Sequence, residues 1–266
     1  MKKPFLLLVI SLALSACSVK EDRGNCPCLL SLIPAEAFEA MEENPGTELK
    51  LTLRGYAEEG TVVEECFGIE RVRDTLEFPV KKGELVMTAW LTCAGVTVSG
   101  ERFLIPSGEE AQPLYACREV LEASGETVRF IPHPLKKYST LLFLDDSGAE
   151  VPFRGRKLII RGRSCGLDLT TMQSVEGDFE CPARAAEHLS GRGFQVRIPR
   201  QEDASLELEL TAQTAGEAIL RLPLGEALFA QEFTPADEEM PDYIVWLNAT
   251  GSSLGISSII TVCPWK

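Results

Sequence analysis

One short stretch of the sequence has the spacing of a hydrolase nucleophile. The letters GRSCG at residues 162–166 match the G-x-S-x-G elbow, in which a serine stands at a sharp turn between a strand and a helix. The segment after it, LDLTTMQ, has no helical pattern, and His188 is the only later histidine that could act as the base. We therefore interpret Ser164 as part of a glycine-rich turn and not as a nucleophile.

Metal and cofactor chemistry needs several ligand side chains close together. The chain has two histidines, His133 between two prolines and His188 in a polar connector. Asp145 and Asp146 are adjacent, but the sequence around them lacks the ligand series of a calcium loop and is typical of a hairpin turn. The sequence therefore predicts no metal site and no cofactor.

The cysteines could form disulfides or bind metal. The chain has nine of them, and setting Cys17 aside leaves an even number, which permits disulfides in an exported protein. Structural zinc sites usually use two close pairs, and only Cys26 and Cys28 are close in sequence. We expect disulfides or buried thiols rather than metal, with the connectivity open. The candidate residues are Cys26, Cys28, Cys66, Cys93, Cys117, Cys165, Cys181 and Cys263.

The N-terminal segment is an apolar run that ends at a cysteine. The run from Phe5 to Leu14 follows two lysines and is too short to span a bilayer. The small residues 15–16 and then Cys17 come next, an order that resembles the lipobox of bacterial lipoproteins. The resemblance implies a signal peptide at 1–16, acyl chains such as palmitate on Cys17, and a lipidated spacer at 17–25. The alternative is a secreted protein with a chance cysteine.

Two further short motifs resemble signals of exported Bacteroidetes proteins. Residues 20–22, Lys-Glu-Asp, are similar to a signal for display on the outer face of the cell, although a hydrated spacer would have the same composition. Residues 74–76, Asp-Thr-Leu, resemble an acceptor for an O-glycan, which Thr75 would carry. We therefore expect a lipid-anchored protein of the cell outer membrane that is exposed at the surface.

The charge of the chain restricts its partners. A formal net charge of −14 argues against binding to nucleic acid, which needs a basic face. One basic segment, residues 154–163 with the sequence RGRKLIIRGR, contains no acidic residue. On a strand, Lys157, Arg161 and Arg163 share one face. That face is either solvated or a docking strip for an acidic partner or a lipopolysaccharide phosphate.

The body of the chain has the pattern of β-strands. Leu49, Leu51 and Leu53 alternate with polar residues, and so do the leucines of the segment ASLELELTA at 204–212. Period-two alternation predicts strands with one face in a core, and frequent turn residues favour antiparallel sandwiches. Helix is scarce: only residues 34–44, PARAAEHLS at 182–190 and PLGEALFA at 223–230 are compatible with short helices or a few turns.

A domain boundary is predicted near residues 131–134. The sequence there is Ile-Pro-His-Pro, and prolines oppose continued sheet pairing. Each side has its own set of strands and a length typical of a sandwich. The expected domains are an N-terminal β-sandwich at 26–131 and a C-terminal β-sandwich at 132–266.

Several motifs together resemble one family. The stretch CSVKEDRGNCPCLLSL at 17–32 is similar to the start of the fimbrial-anchor lipoproteins of Bacteroidales type V fimbriae, the FimB-like, minor-fimbrium-anchor family. The resemblance continues in order at GRSCGLDLTT (162–171), LRLPLGEALFA (220–230) and the final SSIITVCPWK (257–266).

The resemblance implies a fold and a function, and it implies that the protein is not an enzyme. The fold is all-β, with two transthyretin-like antiparallel sandwiches in tandem. The function is to hold the base of a fimbrium at the outer membrane and to limit its length, and the partner is a shaft subunit that docks by adding a β-strand. Alternatives are a fimbrial tip subunit and a surface lipoprotein that binds glycans in a nutrient-uptake complex; glycan sites usually expose aromatic platforms.

Overall fold

The structure is a computed structural model that describes most of the folded body. The described residues are 27–34, 49–58, 60–68, 75–93, 98–145, 156–188, 191–212, 218–229, 239–250 and 257–265. The elements of the first half are β1 (Cys28–Leu32), β2 (Leu49–Ala57), β3 (Gly60–Gly68), β4 (Leu76–Val80), β5 (Gly83–Cys93), β6 (Val98–Ser99), β7 (Arg102–Leu104), β8 (Leu114–Ala123), β9 (Thr127–Phe130) and β10 (Leu135–Lys136). Those of the second half are β11 (Tyr138–Asp145), β12 (Arg156–Asp168), β13 (Gln173–Pro182), β14 (Arg184–His188), β15 (Gly191–Pro199), β16 (Glu207–Ala212), β17 (Ala218–Leu222), α1 (Leu224–Phe229), β18 (Asp242–Thr250) and β19 (Ser257–Trp265).

The first two sheets face each other and are called here the first sheet pair. One sheet has the order β4-β1-β9 and the other the order β10-β8-β5-β2-β3. Leu30 and Leu32 of β1 and Leu51 and Leu53 of β2 are at most 1% exposed and belong to one core between the sheets. On β2 these leucines alternate with polar residues, so the pleat turns only the leucines inward.

The other two sheets form the second sheet pair. One has the order β14-β15-β11-β18-β19, and the other has the order β17-β16-β12-β7-β6, with β13 also paired to β12. Phe143 and Val196 of the former sheet, and Leu158, Ile160 and Leu208 of the latter, lie in a second core and are at most 1% exposed. The alternating leucines of β16 thus have the same cause as those of β2.

The second sheet pair repeats the strand pairing of the first. Strand β1 lies between β4, antiparallel, and β9, parallel; β11 lies between β15, antiparallel, and β18, parallel. In the facing sheets, β2 lies between β3 and β5, and β12 between β13 and β16, all antiparallel. Strands β14 and β19 have no counterpart among the described strands of the first pair; they flank β15 and β18.

The two sheet pairs share an apolar contact. On β5, Ala89 and Leu91 face the first core, whereas Trp90 between them belongs to the second core. Arg54 of β2 lies over the Trp90 ring, with its guanidinium carbon 5.3 Å from the ring centroid, and donates a 2.6 Å hydrogen bond to the carbonyl of Gly100. Gly100 lies in the β6–β7 turn, and β7 pairs with β12 of the second sheet pair.

The expectations about the fold have different outcomes. The all-β class is confirmed, with two parallel pairings in otherwise antiparallel sheets. The segment PLGEALFA contains α1, but the helix expected within 182–190 is wrong, because residues 184–188 form β14 on the edge of β15. The helix expected at 34–44 falls almost entirely outside the described residues. The domain boundary stays a prediction, since β6, β7 and β10 pair with sheets on the other side of it.

Candidate functional site at an open sheet edge

The serine of the elbow-like stretch lies inside a strand. Ser164 is 6% exposed within β12, opposite Glu176 of β13, so the turn expected there is wrong. Its flanking glycines have packing reasons: a Cβ on Gly166 would lie 2.1 Å from the carbonyl oxygen of Phe103 on β7. A Cβ on Gly162 would lie 2.6 Å from a side-chain oxygen of Gln201. The strand-to-helix geometry of a nucleophile elbow is not found at Ser164.

The expected disulfides are not supported where cysteine side chains are described. Cys28, Cys66, Cys117, Cys165 and Cys181 are free thiols in the structure. Burial raises the pKa of the Cys117 and Cys181 thiols to about 11. The Cys181 thiol donates to the carbonyl of Pro182. The other cysteine side chains, Cys17, Cys26, Cys93 and Cys263, lie outside the described part of the chain.

The remaining candidates are dispersed. His133 is exposed in the segment between β9 and β10, and His188 is the last residue of β14, a strand of the second sheet pair. No group of three metal-ligating side chains occurs among the residues that the structure describes. Thr75 is exposed directly before β4, in a position open to modification. Residues 20–22 are outside the described ranges.

The centre of the basic segment 154–163 is neutralised. Arg161 pairs with Glu180 of β13 at 2.9 Å and also with Glu209 of β16. Glu209 is 6% exposed and accepts a second, 2.9 Å bond from Arg221. Hydrogen bonding to Glu180 is the main cause that raises the pKa of Arg161. This network favours a structural role for the basic face of β12 over the docking of an acidic partner.

Within the described residues, the first sheet pair is open along β4. Leu30 and Leu32 of β1 are at most 1% exposed, but their partners on β4, Phe78 and Leu76, are only partly buried. Exposure also increases at the β3 edge of the facing sheet, where exposed Glu65 is the partner of fully buried Leu53. Apolar side chains at the margin of the first core are therefore incompletely covered.

A groove of about 830 Å³ lies at this margin. Val62 of β3, which is 38% exposed, and Pro79 of β4 stand on its walls. Residues 57–58 and 81–84 also line it and contribute both acidic and basic side chains. The groove therefore offers apolar contact beside a strand edge.

The register of β4 shows which backbone groups face the groove side. The amides of Leu29 and Ile33 donate to carbonyls on the β9 side, so alternate residues of β1 turn toward β9. Their partners in the antiparallel ladder, Pro79 opposite Leu29 and Glu77 opposite Ser31, therefore direct their backbone groups away from β1. At this edge Glu77 offers an N–H and a C=O, while Pro79 offers only a C=O.

The equivalent edge of the second sheet pair is covered. There β14 pairs along β15, and Val196 and Ile198 of β15 are at most 1% exposed. The first sheet pair lacks this covering strand among its described elements. Sequence reasoning missed that β4 is an edge strand; Pro79 within it was the available signal, because proline is confined to edges and bulges.

Comparisons with known proteins agree with this architecture. Residues 1–18 match the family described as the prokaryotic membrane lipoprotein lipid attachment site. No curated protein sequence matches the chain. The structure aligns with the fimbrial anchor protein Mfa2 from Porphyromonas gingivalis at a TM-score of 0.63 and 12% identity, over 90% of this chain and 98% of that one. The chain has the fold of a fimbrial anchor.

Two further structures share this fold. A candidate polysaccharide-binding protein from Bacteroides thetaiotaomicron aligns at a TM-score of 0.64 and 13% identity, over 90% of this chain and 98% of that one. A candidate adhesin from Bacteroides ovatus aligns at 0.60 and 9% identity, over 90% and 96%. The resemblance predicted from the sequence is thus confirmed at the level of the fold, and the attachment site indicates a membrane-anchored lipoprotein. The described residues include no helix of the length and apolarity needed to cross a bilayer.

Proposed function

We propose that this protein is a fimbrial assembly lipoprotein of the cell outer membrane, exposed at the surface, that holds the base of a fimbrium and limits its length. The fold shared with a fimbrial anchor protein and the lipid attachment site at the N-terminus support this proposal. Acyl chains on Cys17 hold the chain at the membrane, where more than one chain is needed for stable attachment. We also propose that its body consists of two transthyretin-like sandwiches.

The open β4 edge is the proposed point of attachment for a shaft subunit. The observation that carries this step is the comparison within the molecule: β14 covers the margin of the second sheet pair, and no described strand covers the same margin of the first. A strand added beside β4 would bond to the backbone groups of Glu77 and place apolar side chains over Leu76 and Phe78.

The proline in this edge favours a selective partner. Pro79 removes one N–H from the ladder, and prolines are a device by which edge strands avoid indiscriminate pairing.

Glycan binding is not favoured by the described surface. Its exposed large hydrophobic residues are Val62, Leu104 and Val120, all aliphatic, and Trp90 is 3% exposed.

The first test is electron microscopy of cells that lack the gene, with shed fimbriae assayed in the medium. Long or detached fimbriae are expected. Unchanged fimbriae would contradict the anchor function, and fimbriae of normal length and attachment that lack only a tip protein would identify a tip subunit.

The second test complements the deletion with Glu77→Pro or Glu77→Ala. The proline removes the outward N–H of Glu77 without touching the bonds between β4 and β1, whereas the alanine keeps it. We expect the proline variant to shed fimbriae like the deletion and the alanine variant to behave like the parent. Normal fimbriae in the proline variant would refute the β4 edge as the docking point while leaving the anchor function intact.

A further inference from the structure

The outer edge of β15 is covered by more than β14. Strand β14 pairs with residues 191–195 of β15. Further along, the backbone N–H of Arg197 donates to the Glu110 carboxylate at 3.2 Å, and the backbone carbonyl of Arg197 accepts a 3.0 Å bond from the amide of Ala111. A neighbouring strand would make the same two kinds of bond to Arg197. Residues 105–111, called here the edge segment, therefore continue the cover that β14 begins.

The edge segment is fixed to both sheets of the second sheet pair. Its Ile105 amide donates to the carbonyl of Cys165 on β12, and its Gly108 amide donates to the carbonyl of Glu180 on β13, both at 2.8 Å. Ile105 and Ala111 are 7% and 1% exposed and belong to the second core. The edge segment thus crosses from one sheet to the other and closes the second sheet pair at this side, although it belongs in sequence to the first half of the chain.

Glu110 joins the edge segment to β14 and β15 at one point. One carboxylate oxygen accepts the backbone N–H of Arg197, and the other pairs with the Arg197 guanidinium at 2.8 Å and with Arg184 of β14 at 3.6 Å. The Glu110 and Arg197 side chains are 19% and 20% exposed, so their charge-assisted bonds are partly shielded from water. Arg184 and Ala185 are exposed, so side-chain packing holds this part of β14 only weakly.

The edge segment does not offer a new edge in place of the one that it covers. Pro106 has no N–H to donate, and Gly108 has a φ of 86°, which an extended strand does not adopt. The amide of Glu109 donates back to the carbonyl of Pro106 at 3.1 Å, which makes this part a turn. A second strand therefore finds no continuous ladder along the edge segment.

We propose that the edge segment is a guard that keeps β15 from pairing with a strand of a second copy of this chain, with Glu110 as its latch. A bare edge strand presents unpaired N–H and C=O groups to which another strand can bond, and a covering loop is one way in which proteins prevent this. A second copy is the partner because two β15 edges can meet antiparallel about a twofold axis, each bonding the same groups of the other. The proposal does not depend on the docking of a shaft subunit at β4.

The decisive test compares Glu110→Ala/Arg197→Thr with Arg197→Thr alone. Both variants lose the ion pair between β15 and the edge segment, but only the double variant loses the carboxylate that accepts the amide of residue 197. We expect this amide to exchange its hydrogen roughly tenfold faster or more in the double variant than in the single one. Unchanged exchange in β11 reports an intact fold. Equal exchange of the residue-197 amide in the two variants would overturn the latch.

Association of the same two variants is measured by sedimentation velocity over a range of concentrations. Cys17→Ser removes the proposed lipid, and reducing conditions keep the exposed Cys66 from forming a disulfide between copies. We expect the double variant to form a dimer in which the amide of residue 197 regains protection, while the single variant stays monomeric. The guard is refuted by a double variant that stays monomeric, or by one that associates while this amide stays unprotected.

Hydrogen exchange of the parent protein is a measurement that needs no substitution. Glu110 ties the edge segment to both β14 and β15, so the amides of Gly193, Gln195 and Arg197 on the outer edge of β15 are expected to open together in one step. Glu109→Ala is the control for charge, because Glu109 is an exposed acid of the same segment, and it should exchange as the parent does. Opening of Gly193 and Gln195 without Arg197 contradicts the latch.

Discussion

Sheets β4-β1-β9 and β14-β15-β11-β18-β19 share the pairing pattern of their central strands but differ at their edges. In each, a central strand pairs antiparallel on one side and parallel on the other. The second sheet continues outward through β14 and β19, whereas the first ends, within the described residues, at β4 and β9. Val196 and Ile198 on β15 are fully covered, and Leu76 and Phe78 on β4 are not. The same pairing pattern thus gives one sheet pair whose β15 edge is covered by β14 and one whose β4 edge has room for another strand.

The core of the second sheet pair should tolerate truncation of its side chains far less than the β4 edge of the first sheet pair does. Leu158→Ala, in the second core at 0% exposure, is expected to lower the free energy of unfolding by about 3–4 kcal/mol, because it leaves a cavity. Leu76→Ala should cost only about 1 kcal/mol, since this side chain is already partly in water. Urea unfolding of the two variants measures both values. Equal costs would mean that the β4 margin is covered in solution.

Removal of a charged side chain is also expected to lower the free energy of unfolding more in the second sheet pair than at the margin of the first. Glu209→Ala should lower the free energy of unfolding by about 1 kcal/mol, because Arg161 and Arg221, whose side chains are 36% and 64% exposed, lose their shared partner but stay in contact with water. Glu65→Ala, an exposed acid on β3, should change it by less than about 0.5 kcal/mol. Chemical denaturation again decides, and a small effect of Glu209→Ala would show that water replaces the carboxylate at little cost.

The thiols provide the smallest and most local comparison. Cys66 on β3 is exposed and should react with iodoacetamide in the native protein, whereas Cys181, at 2% exposure, should react only after unfolding. Mass spectrometry of the labelled peptides measures the order. Rapid native labelling of Cys181 would mean that β12 and β13 separate readily.

Titration of the Cys117 and Cys181 thiols makes stability depend on pH. The folded-state pKa of Cys117 and Cys181 is raised from 9.0 to about 11, so the folded state holds their protons more tightly than the unfolded chain. Their contribution is complete below pH 9 and is lost as the pH rises towards 11. The fall in Tm over this window should be smaller in Cys181→Ala than in the parent.

Local patterns in the sequence were sufficient for the strands but not for their neighbours. The alternation of Leu51 and Leu53 identified β2, because the pleat itself sets period two. The segment at 184–188 was misjudged because pairing with β15 overrides its local propensity. Ser164 was placed in a turn because its glycines suggested one, whereas they accommodate β7 and Gln201. Which edge stays open depends on contacts between distant segments, and only Pro79 hinted at it.

The position of β1 also determines how the molecule resists a mechanical pull. Cys28 begins β1 a short distance in sequence after Cys17, so tension from the proposed lipid on Cys17 would enter the folded body through this strand. Strand β1 is bonded on both sides, to β4 and to β9. Force directed along the strand loads both ladders in shear, and their bonds must yield together. A tether on an edge strand would instead be peeled away one bond at a time.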